Sequence, residues 1–271
     1  MIKADFIWLV HPLDEFQIKT WAIMNDTTVE ALVEAGPRIV DTIKDNVNNL
    51  TGYAISTPLL PKELLGKKKV REQLTIIKNM IDPTVPVGLG AWWATVTRKG
   101  ELAKEILDNP IIDGYTGTVD RIVQQVHENL PKDLLSYARV CIIGGGEVGK
   151  RVYDRLVKEH LPVLFDKFGI ADLKHRGYLV DHVDLVKLQI KGFDIGVCCT
   201  TATEDVIRIE DIPDGFKFID DSYPHAIPKY EGRIDGGIYD APYIESKWLI
   251  QDGKVYGCLM ELIKEVVNAK K

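Results

Sequence analysis

A glycine-rich turn between a short apolar segment and an amphipathic segment restricts the fold of this chain more than any other feature. The run Arg139–Lys150 reads RVCIIGGGEVGK, in which Gly144, Gly146 and Gly149 have the spacing G-x-G-x-x-G. The first glycine of such a motif permits a tight turn, the second lets the backbone approach phosphates, and the third lets a helix pack closely on a strand. Unpaired N–H groups at the helix start then favour an anion.

The residues on both sides of the turn support this interpretation. Val140–Gly144 is predicted to be a strand, and Val148, Val152 and Leu156 have the spacing of one buried helical face. A second strand, Leu161–Phe165, leads to Asp166, where an acidic residue commonly binds the ribose hydroxyls of a dinucleotide. Because that carboxylate would repel a 2′-phosphate, the sequence favours NAD(H) over NADP(H).

A second predicted strand end adds residues to this cofactor site. Phe193–Cys198 is predicted to be a buried strand whose carboxyl end faces the cofactor, followed by a polar turn. The expected cofactor-binding residues are Gly144, Gly145, Gly146, Glu147, Val148, Gly149, Asp166, Cys199, Thr200, Thr201 and Ala202. Two alternatives stay open: a nucleotide-free α/β domain with a glycine turn, and an ordinary turn after Cys199 in which Thr201 or Thr203 caps a helix.

The order of the predicted elements indicates an α/β protein with a C-terminal Rossmann-type dinucleotide-binding domain and a separate N-terminal α/β substrate domain. We expect the substrate domain over residues 1–130, the dinucleotide domain over 131–255, and a last helix over 256–271 that packs between the lobes. Other expected elements are a strand at Phe6–Val10, a helix over Val29–Val47 interrupted near Gly36, a strand at Tyr53–Ser56, helices over Val70–Ile81 and Gly117–Asn129, and strands at Val85–Gly90 and Phe216–Ile219.

Composition narrows the functional classes. The 271 residues are 45% hydrophobic and 27% charged, as in soluble globular proteins. The net charge of −6 argues against general nucleic-acid binding. No apolar run reaches membrane-spanning length, and the first residues lack a signal-peptide pattern, so we expect a cytoplasmic protein. The four cysteines and six histidines show no zinc-ligand spacing, so no metal site is predicted.

Three residues are candidates for catalysis. Cys258 begins the predicted last helix, where a helix N-terminus lowers a thiol pKa and favours a nucleophilic thiolate. His11 ends the first strand, and Tyr223 follows Asp220 and Asp221 after a strand in the cofactor half. Each candidate has an ordinary alternative. Cys258 and His11 are also typical core residues, and Tyr223, with Asp220 and Asp221, could equally serve the hydrogen bonds of a turn.

Several of these segments occur together, in the same order, in one known family. The chain resembles the aldehyde-forming long-chain fatty acyl-(acyl-carrier-protein) reductase family. The matching residues are His11, Gly52-Tyr53, Leu59–Pro61, Leu89-Gly90, the Gly144–Gly149 turn, Ile219-Asp220, Tyr223-Pro224, Gly236-Gly237 and Cys258. The resemblance implies an acyl group carried on Cys258, a nicotinamide reductant and an acidic acyl-carrier protein as a possible partner.

The chain also departs from that family. The family uses NADPH, whereas Asp166 argues for NADH. The family also carries a histidine near the segment that here reads Thr116–Val119, and it has a further segment after the last helix. A different substrate and a remodelled acyl tunnel are therefore expected. The order of the two lobes is also similar to that of shikimate-type dehydrogenases, which need no cysteine.

Three functions remain open at this stage. The first is reduction of an acyl thioester to an aldehyde through Cys258. The second is an NAD-dependent dehydrogenase of a small hydroxy or amino acid, with direct hydride transfer and His11, Asp221 or Tyr223 as proton relay. The third is a nucleotide-responsive binding protein without turnover. A homo-oligomer is compatible with each of them.

Overall fold

The computed structural model describes residues 1–12, 14–131, 134, 136–182, 190–202, 204–223 and 225–271. The strands are β1 (Phe6–Val10), β2 (Arg38–Asp45), β3 (Leu50–Ser56), β4 (Val87–Leu89), β5 (Ile111–Ile112), β6 (Arg139–Ile143), β7 (Leu161–Asp166), β8 (Val180–His182), β9 (Ile195–Cys198), β10 (Phe218–Asp220), β11 (Arg233–Asp235), β12 (Ile238–Asp240), β13 (Ile244–Glu245) and β14 (Lys254–Tyr256). The helices are α1 (Glu15–Met24), α2 (Val29–Ala35), α3 (Pro61–Leu64), α4 (Lys67–Met80), α5 (Trp93–Val96), α6 (Glu101–Ile106), α7 (Tyr115–Asn129), α8 (Glu147–Leu156), α9 (Ile170–His175) and α10 (Gly257–Ala269).

Contacts divide the chain into two compact α/β units. The first unit contains Met1–Gly117 and Tyr239–Lys271, and the second contains Thr118–Ile238. Among the described residues, no helix combines the length and apolarity that crossing a bilayer requires.

The first unit is built on a mixed six-stranded sheet of order β13-β2-β3-β1-β4-β5. Strands β1, β3, β4 and β5 are parallel, and β2 pairs antiparallel with both β3 and β13. Helix α10 packs on the central strands, because Leu259 and Leu262 share a buried cluster with Phe6 and Trp8 of β1. Gly88 of β4 permits this packing, since a Cβ there would lie 2.6 Å from Leu262 Cδ2.

The second unit is a parallel six-stranded sheet of order β8-β7-β6-β9-β10-β11. In chain order within the unit this is 3-2-1-4-5-6, the strand order of dinucleotide-binding domains. Alternate residues of β6 face two separate cores: Val140 and Ile142 pack with α7 and α8, while Cys141 and Ile143 pack on the other face. The fold class predicted from the sequence is therefore confirmed.

The division between units differs from the predicted domain boundaries. Residues 118–130 belong to the second unit because Val119, Ile122 and Val126 of α7 pack into its core. Residues 239–255 belong to the first unit, where β13 pairs with β2. The placement of the last helix between lobes stays a prediction.

One predicted helix is wrong over much of its length. The run Val29–Val47 is a helix only as far as Ala35, and Arg38–Asp45 is strand β2. Gly36, with φ of +71°, ends the helix, and Pro37 follows it. The inward positions of β2 hold Asp41, Ile43 and Asp45, so charged residues conceal the alternation that marks a strand.

Asp41 shows why a carboxylate is tolerated at such a position. The side chain is 5% exposed, and its two oxygens accept hydrogen bonds from the backbone N–H groups of Lys247, Trp248 and Leu249 at 2.8–3.0 Å. A fourth bond comes from the N–H of Thr42. The carboxylate therefore anchors the segment before β14 to the edge of the sheet.

We predict that Asp41→Ala lowers the free energy of unfolding by about 2–4 kcal/mol, because it leaves the N–H groups of Lys247 and Trp248 without their acceptor and leaves that of Leu249 with Ser246 Oγ alone. Chemical denaturation followed by circular dichroism measures the change. The exposed residue Asp214 provides the control, since Asp214→Ala should stay within about 0.5 kcal/mol of the wild type. Equal effects of the two substitutions would contradict this role for Asp41.

Candidate functional site

The glycine turn lies at the carboxyl end of β6, between β7 and β9, where the order of the second sheet reverses. Gly144 has φ of +103°, and a Cβ there would lie 2.7 Å from the carbonyl oxygen of Cys199. At Gly149 a Cβ would overlap the carbonyl oxygen of Gly144. These two glycines therefore let strand β9, strand β6 and helix α8 approach one another through their backbones.

The second glycine of the motif faces open space. Gly146 is the N-cap residue of α8, no side chain caps this helix end, and a Cβ at Gly146 would have no neighbour within 4 Å. The first N–H groups of a helix without a cap form a site for an anion. These residues therefore fit the pyrophosphate of a dinucleotide.

Asp166, at the end of β7, is tied to the same turn. Its carboxylate accepts hydrogen bonds from the N–H of Gly145 at 2.5 Å and from the N–H of Phe168 at 2.7 Å. Each oxygen has a further lone pair, so the half-buried group can also accept from hydroxyls. The predicted ribose-binding residue thus also holds the predicted phosphate-binding turn in place.

The two side chains that follow the turn differ in role. Glu147 places a carboxylate in the first turn of α8, where it lies 2.8 Å from Arg151 Nε and 3.7 Å from Lys150 Nζ. These cations offset a negative charge close to the anion site. Val148 packs against the core of the unit, so only its backbone is available to a ligand.

Strands β9 and β10 contribute a second group of polar atoms. Ser222 Oγ accepts a hydrogen bond from the N–H of Thr200 at 3.2 Å and lies 3.3 Å from Cys198 Sγ. Thr200 Oγ1 in turn accepts from the N–H of Ala202 at 3.3 Å, and Thr201 is exposed. The Cys199–Ala202 segment is therefore held at the same sheet edge as the glycine turn.

The Cys199 thiol is held in its protonated form. Burial raises its pKa well above the ordinary value, and the Asp221 carboxylate adds to the shift. A protonated thiol is a weak nucleophile, so this cysteine is a poor candidate for acyl transfer.

Asp220 has a structural role at the end of β10. Its side chain is 1% exposed and accepts hydrogen bonds from the N–H groups of Ser222, Ala226 and Ile227 at 3.0–3.1 Å. His225 Nδ1 lies 3.3 Å from Asp220 Oδ2. Sequence reasoning missed Ser222 and His225, because a serine and a histidine in a turn carry no distinguishing local pattern.

The next residue, Asp221, has a different environment. Burial, together with the neighbouring Asp220 charge, raises its pKa to about 7. No residue in the described ranges donates a hydrogen bond to its carboxylate, and a Cβ at Gly237 would lie 2.6 Å from Asp221 Oδ1. A half-buried carboxyl group with a pKa of about 7, at the same sheet edge as the glycine turn, is suited to proton transfer.

The remaining candidates of this unit lie beside it in sequence. Tyr223 is half-buried, and its ring centroid lies 6.1 Å from that of His225. Pro224, which contributed to the family resemblance, lies outside the described residues.

His11, in the first unit, has both ring nitrogens engaged by the backbone. Nδ1 lies 2.8 Å from the carbonyl oxygen of Pro12, and Nε2 accepts from the N–H of Trp92 at 3.1 Å. Burial lowers its pKa to about 4, so the ring is neutral at physiological pH. This geometry favours a role in joining the ends of β1 and β4.

Cys258 lies in the first turn of α10, also in the first unit. No side chain caps this helix, and the thiol-bearing residue is half-buried against the core. The start of α7 packs directly on it: a Cβ at Gly114 would overlap Cys258 Cβ, and a Cβ at Gly117 would overlap the carbonyl oxygen of Gly257. The N–H of Gly117 donates to Glu261 Oε2 at 2.7 Å. Cys258 lies at the N-terminus of α10, which is the positive end of that helix dipole.

Sequence comparison gives no family for this chain. No protein-family model matches it. No functionally described protein matches it by sequence either.

Solved structures give distant likenesses. A shikimate dehydrogenase in complex with NADP⁺ is 12% identical, with 99% of this chain and 91% of that chain covered and a TM-score of 0.47. The nucleotide-binding domain of glutamyl-tRNA reductase from Thermoplasma volcanium is 14% identical, with 43% and 83% covered and a TM-score of 0.37. For a dipicolinate synthase from Bacillus halodurans the values are 12%, 54% of each chain and 0.39.

These likenesses are too weak to carry an argument about activity. One of the three proteins is of the shikimate dehydrogenase type that the sequence resembles, and none is an acyl-carrier-protein reductase.

We predict that alanine affects ligand binding at one glycine of the turn and stability at another. Gly146→Ala should leave the melting temperature within about 2 °C of the wild type, because its Cβ meets no neighbour, but should weaken NADH binding at least tenfold by filling the phosphate approach. Gly149→Ala should lower the melting temperature, because its Cβ overlaps a backbone oxygen. Fluorescence titration and thermal unfolding measure both. Unchanged NADH affinity in a folded Gly146→Ala protein would remove the turn as the phosphate site.

Asp221 predicts a pH dependence of stability. Its folded pKa of about 7 exceeds the ordinary value of 3.8, so the folded state retains a proton that the unfolded state releases between these pH values. The stability of the wild type relative to Asp221→Asn should therefore fall as pH rises from about 4 to about 7 and then stay level. Denaturation at a series of pH values measures it, and a parallel pH profile for the two proteins is the contrary outcome.

Proposed function

We propose that this protein is an NAD(P)H-dependent oxidoreductase. The observation that supports this most strongly is the position of the glycine turn. It lies where the strand order of a parallel 3-2-1-4-5-6 sheet reverses, and it leads into helix α8, whose N-cap residue has no capping side chain. Backbone N–H groups at the start of α8 would bind the pyrophosphate, and Asp166 would bind the adenosine ribose. Bound in this way, the nicotinamide supplies a two-electron reductant.

We infer a preference for NADH. The Asp166 carboxylate is held in place by two backbone N–H groups, so a 2′-phosphate would meet a fixed negative charge. Titration with NADH and NADPH tests the preference, and a discrimination of about tenfold corresponds to a difference of about 1.4 kcal/mol. Tighter binding of NADPH would contradict it.

The favoured reaction is reduction of an acyl thioester to an aldehyde. In the first step the Cys258 thiolate attacks the thioester carbonyl: a bond forms between Cys258 sulfur and the acyl carbon, the original carbon–sulfur bond breaks, and the departing thiolate takes a proton from solvent. Reduction of the enzyme thioester by two electrons and protonation then yield the aldehyde and return the Cys258 thiolate. The positive dipole end of α10 would support the thiolate and a developing oxyanion.

A carrier protein as acyl donor is a further part of this proposal. The basic cluster at the start of α4 contains Lys67, Lys68, Lys69 and Arg71. Three of its four cations already face acidic groups: Lys68 lies 3.9 Å from Glu72, Lys69 3.7 Å from Glu63, and Arg71 2.7 Å from Glu105. The cluster is therefore partly neutralised, which weakens the case for it as a docking site for an acidic carrier.

A dehydrogenase of a small hydroxy or amino acid is the second candidate. The observation that favours it is the raised pKa of Asp221. This carboxyl group lies in the same unit as the glycine turn and can both donate and accept a proton near neutral pH. In this reaction Asp221 would take the proton of the substrate hydroxyl or amine, while the hydrogen on the carbon would leave as a hydride to NAD⁺. No covalent intermediate forms, and Cys258 is then a packing residue.

One experiment separates the two candidates. We predict that incubation with an acyl-coenzyme A thioester adds the mass of the acyl group to the wild type and to Cys199→Ser, but not to Cys258→Ser, as seen by intact-protein mass spectrometry. Cys199→Ser is the matched control, because that thiol is also half-buried but has a raised pKa.

The contrary outcomes are equally specific. An adduct that persists in Cys258→Ser, or no adduct on the wild type, would reject the thioester reaction. If Cys258→Ser then keeps full NAD-dependent oxidation of a hydroxy or amino acid while Asp221→Asn loses about 100-fold or more in kcat/KM, the dehydrogenase reaction is the correct one.

A further inference from the structure

Two histidines and a glutamate meet at the edge of the second sheet opposite to the glycine turn. His127 lies in the last turn of α7, and Glu159 and His160 lie in the connection from α8 to β7. This connection is held in place by the backbone, since the N–H of His160 donates to the carbonyl of Leu156 and the N–H of Leu161 to that of Ala138, both at 2.8 Å. His127 is 33 positions before His160 in the sequence, yet the fold brings their side chains together with that of Glu159.

The ligand atoms have the spacing of a metal site. One nitrogen from each ring and one carboxylate oxygen all lie within 4.8 Å of one another, and His127 Nε2 is 3.6 Å from Glu159 Oε2. Around a tetrahedral zinc ion with bonds of about 2.0–2.2 Å, neighbouring ligand atoms are about 3.4 Å apart. Modest side-chain rotation would therefore bring all three atoms to one ion.

The buried ring nitrogens of this cluster lack other partners. His160 is 2% exposed, yet neither of its ring nitrogens has a hydrogen-bond partner among the described residues. Within the same part of the chain, His127 Nε2 is also buried without a hydrogen-bond partner. A buried polar group without a partner is costly, and coordination of a cation would satisfy one nitrogen of each ring.

The two rings and the carboxylate also influence one another electrostatically. Burial lowers the pKa of His160, the nearby His127 lowers it further, and the Glu159 charge acts in the opposite direction. A neutral imidazole is the metal ligand, whereas an imidazolium is not. Glu159 contributes a negative charge that a divalent cation would offset.

We propose that His127, Glu159 and His160 bind a first-row divalent metal ion, with Zn²⁺ as the favoured ion and water as the fourth ligand. Two imidazole nitrogens disfavour Ca²⁺ and Mg²⁺, which prefer oxygen ligands. Since the cluster lies at the amino end of β7 and Asp166 at its carboxyl end, the ion takes no part in the reaction proposed above. It instead joins α7 to the start of β7.

The proposal departs from the sequence prediction of no metal site. That prediction rested on the absence of close ligand spacing, and His127 and His160 are too far apart in sequence to be recognised as a pair. Only the packing of α7 beside the α8–β7 connection brings them together.

Zinc binding to the purified protein without a histidine tag tests the site. After removal of bound metal with a chelator, isothermal titration with ZnCl₂ should give one equivalent for the wild type. A Zn²⁺ concentration of about 100 times the dissociation constant should raise the melting temperature by about 5 °C or more. Co²⁺ in place of Zn²⁺ should give visible absorption bands of a four-coordinate site.

Conservative variants locate the ion. His127→Gln and Glu159→Gln alter partly exposed or exposed side chains, so both should fold, and each should weaken Zn²⁺ binding at least tenfold. The exposed His175→Gln is the matched control and should bind Zn²⁺ as the wild type does. Less than 0.2 equivalents bound by about 100 µM Zn²⁺, or equal affinity in all three variants, would overturn the proposal.

Discussion

The approach of backbone to backbone at the glycine turn is the constraint on which the second unit depends. Gly149 lies against the carbonyl of Gly144, and Gly144 lies against the carbonyl of Cys199, at distances that leave no room for a Cβ. Backbone contacts therefore position helix α8 and strands β6 and β9. Strand β7 is joined to them by the hydrogen bond from the N–H of Gly145 to the Asp166 carboxylate. The anion site proposed at the start of α8 would thus follow from how the sheet and helix pack, without a cationic side chain.

The carboxylates of Asp41, Asp220 and Asp221 differ in the number of backbone N–H groups that donate to them. Asp41 and Asp220 each accept three or more backbone hydrogen bonds, so each serves as an anchor for a loop. Asp221 has no such donors among the described residues and faces the charge of Asp220, so its pKa rises to about 7. Asp220 and Asp221 are adjacent residues of the same type, but only Asp220 accepts backbone hydrogen bonds among the described residues. This difference in hydrogen bonding separates the environments of the two carboxyl groups.

Local patterns predicted the elements whose signal is local. Strand β1, helix α10 and the turn from Gly144 to Gly149 follow from apolar spacing and glycine positions. Strand β2 could not be predicted this way, because its inward residues include two carboxylates. Asp41 accepts from backbone N–H groups about 200 residues away, and Asp45 accepts from the turn at Val47 and Asn48 that follows it. The same limit explains the site: the donors to Asp220 and the neighbours of His160 depend on tertiary packing, which spacing along the chain does not encode.

The environment of Cys258 illustrates the consequence for function. Its position at a helix start was visible in the sequence, but the glycines that pack against it, Gly114 and Gly117, precede it by more than 140 residues. Because a side chain at either glycine would overlap the start of α10, the close fit there depends on both. Tight packing of this kind is compatible with a nucleophile held in one position and with a well-packed core thiol. Cys258, the nucleophile of the proposed thioester reaction, belongs to the first unit, whereas Asp221, the proton acceptor of the proposed dehydrogenase reaction, belongs to the second. The two candidate reactions therefore differ in which unit supplies the reactive group, and substitution of one residue in each unit is sufficient to distinguish them.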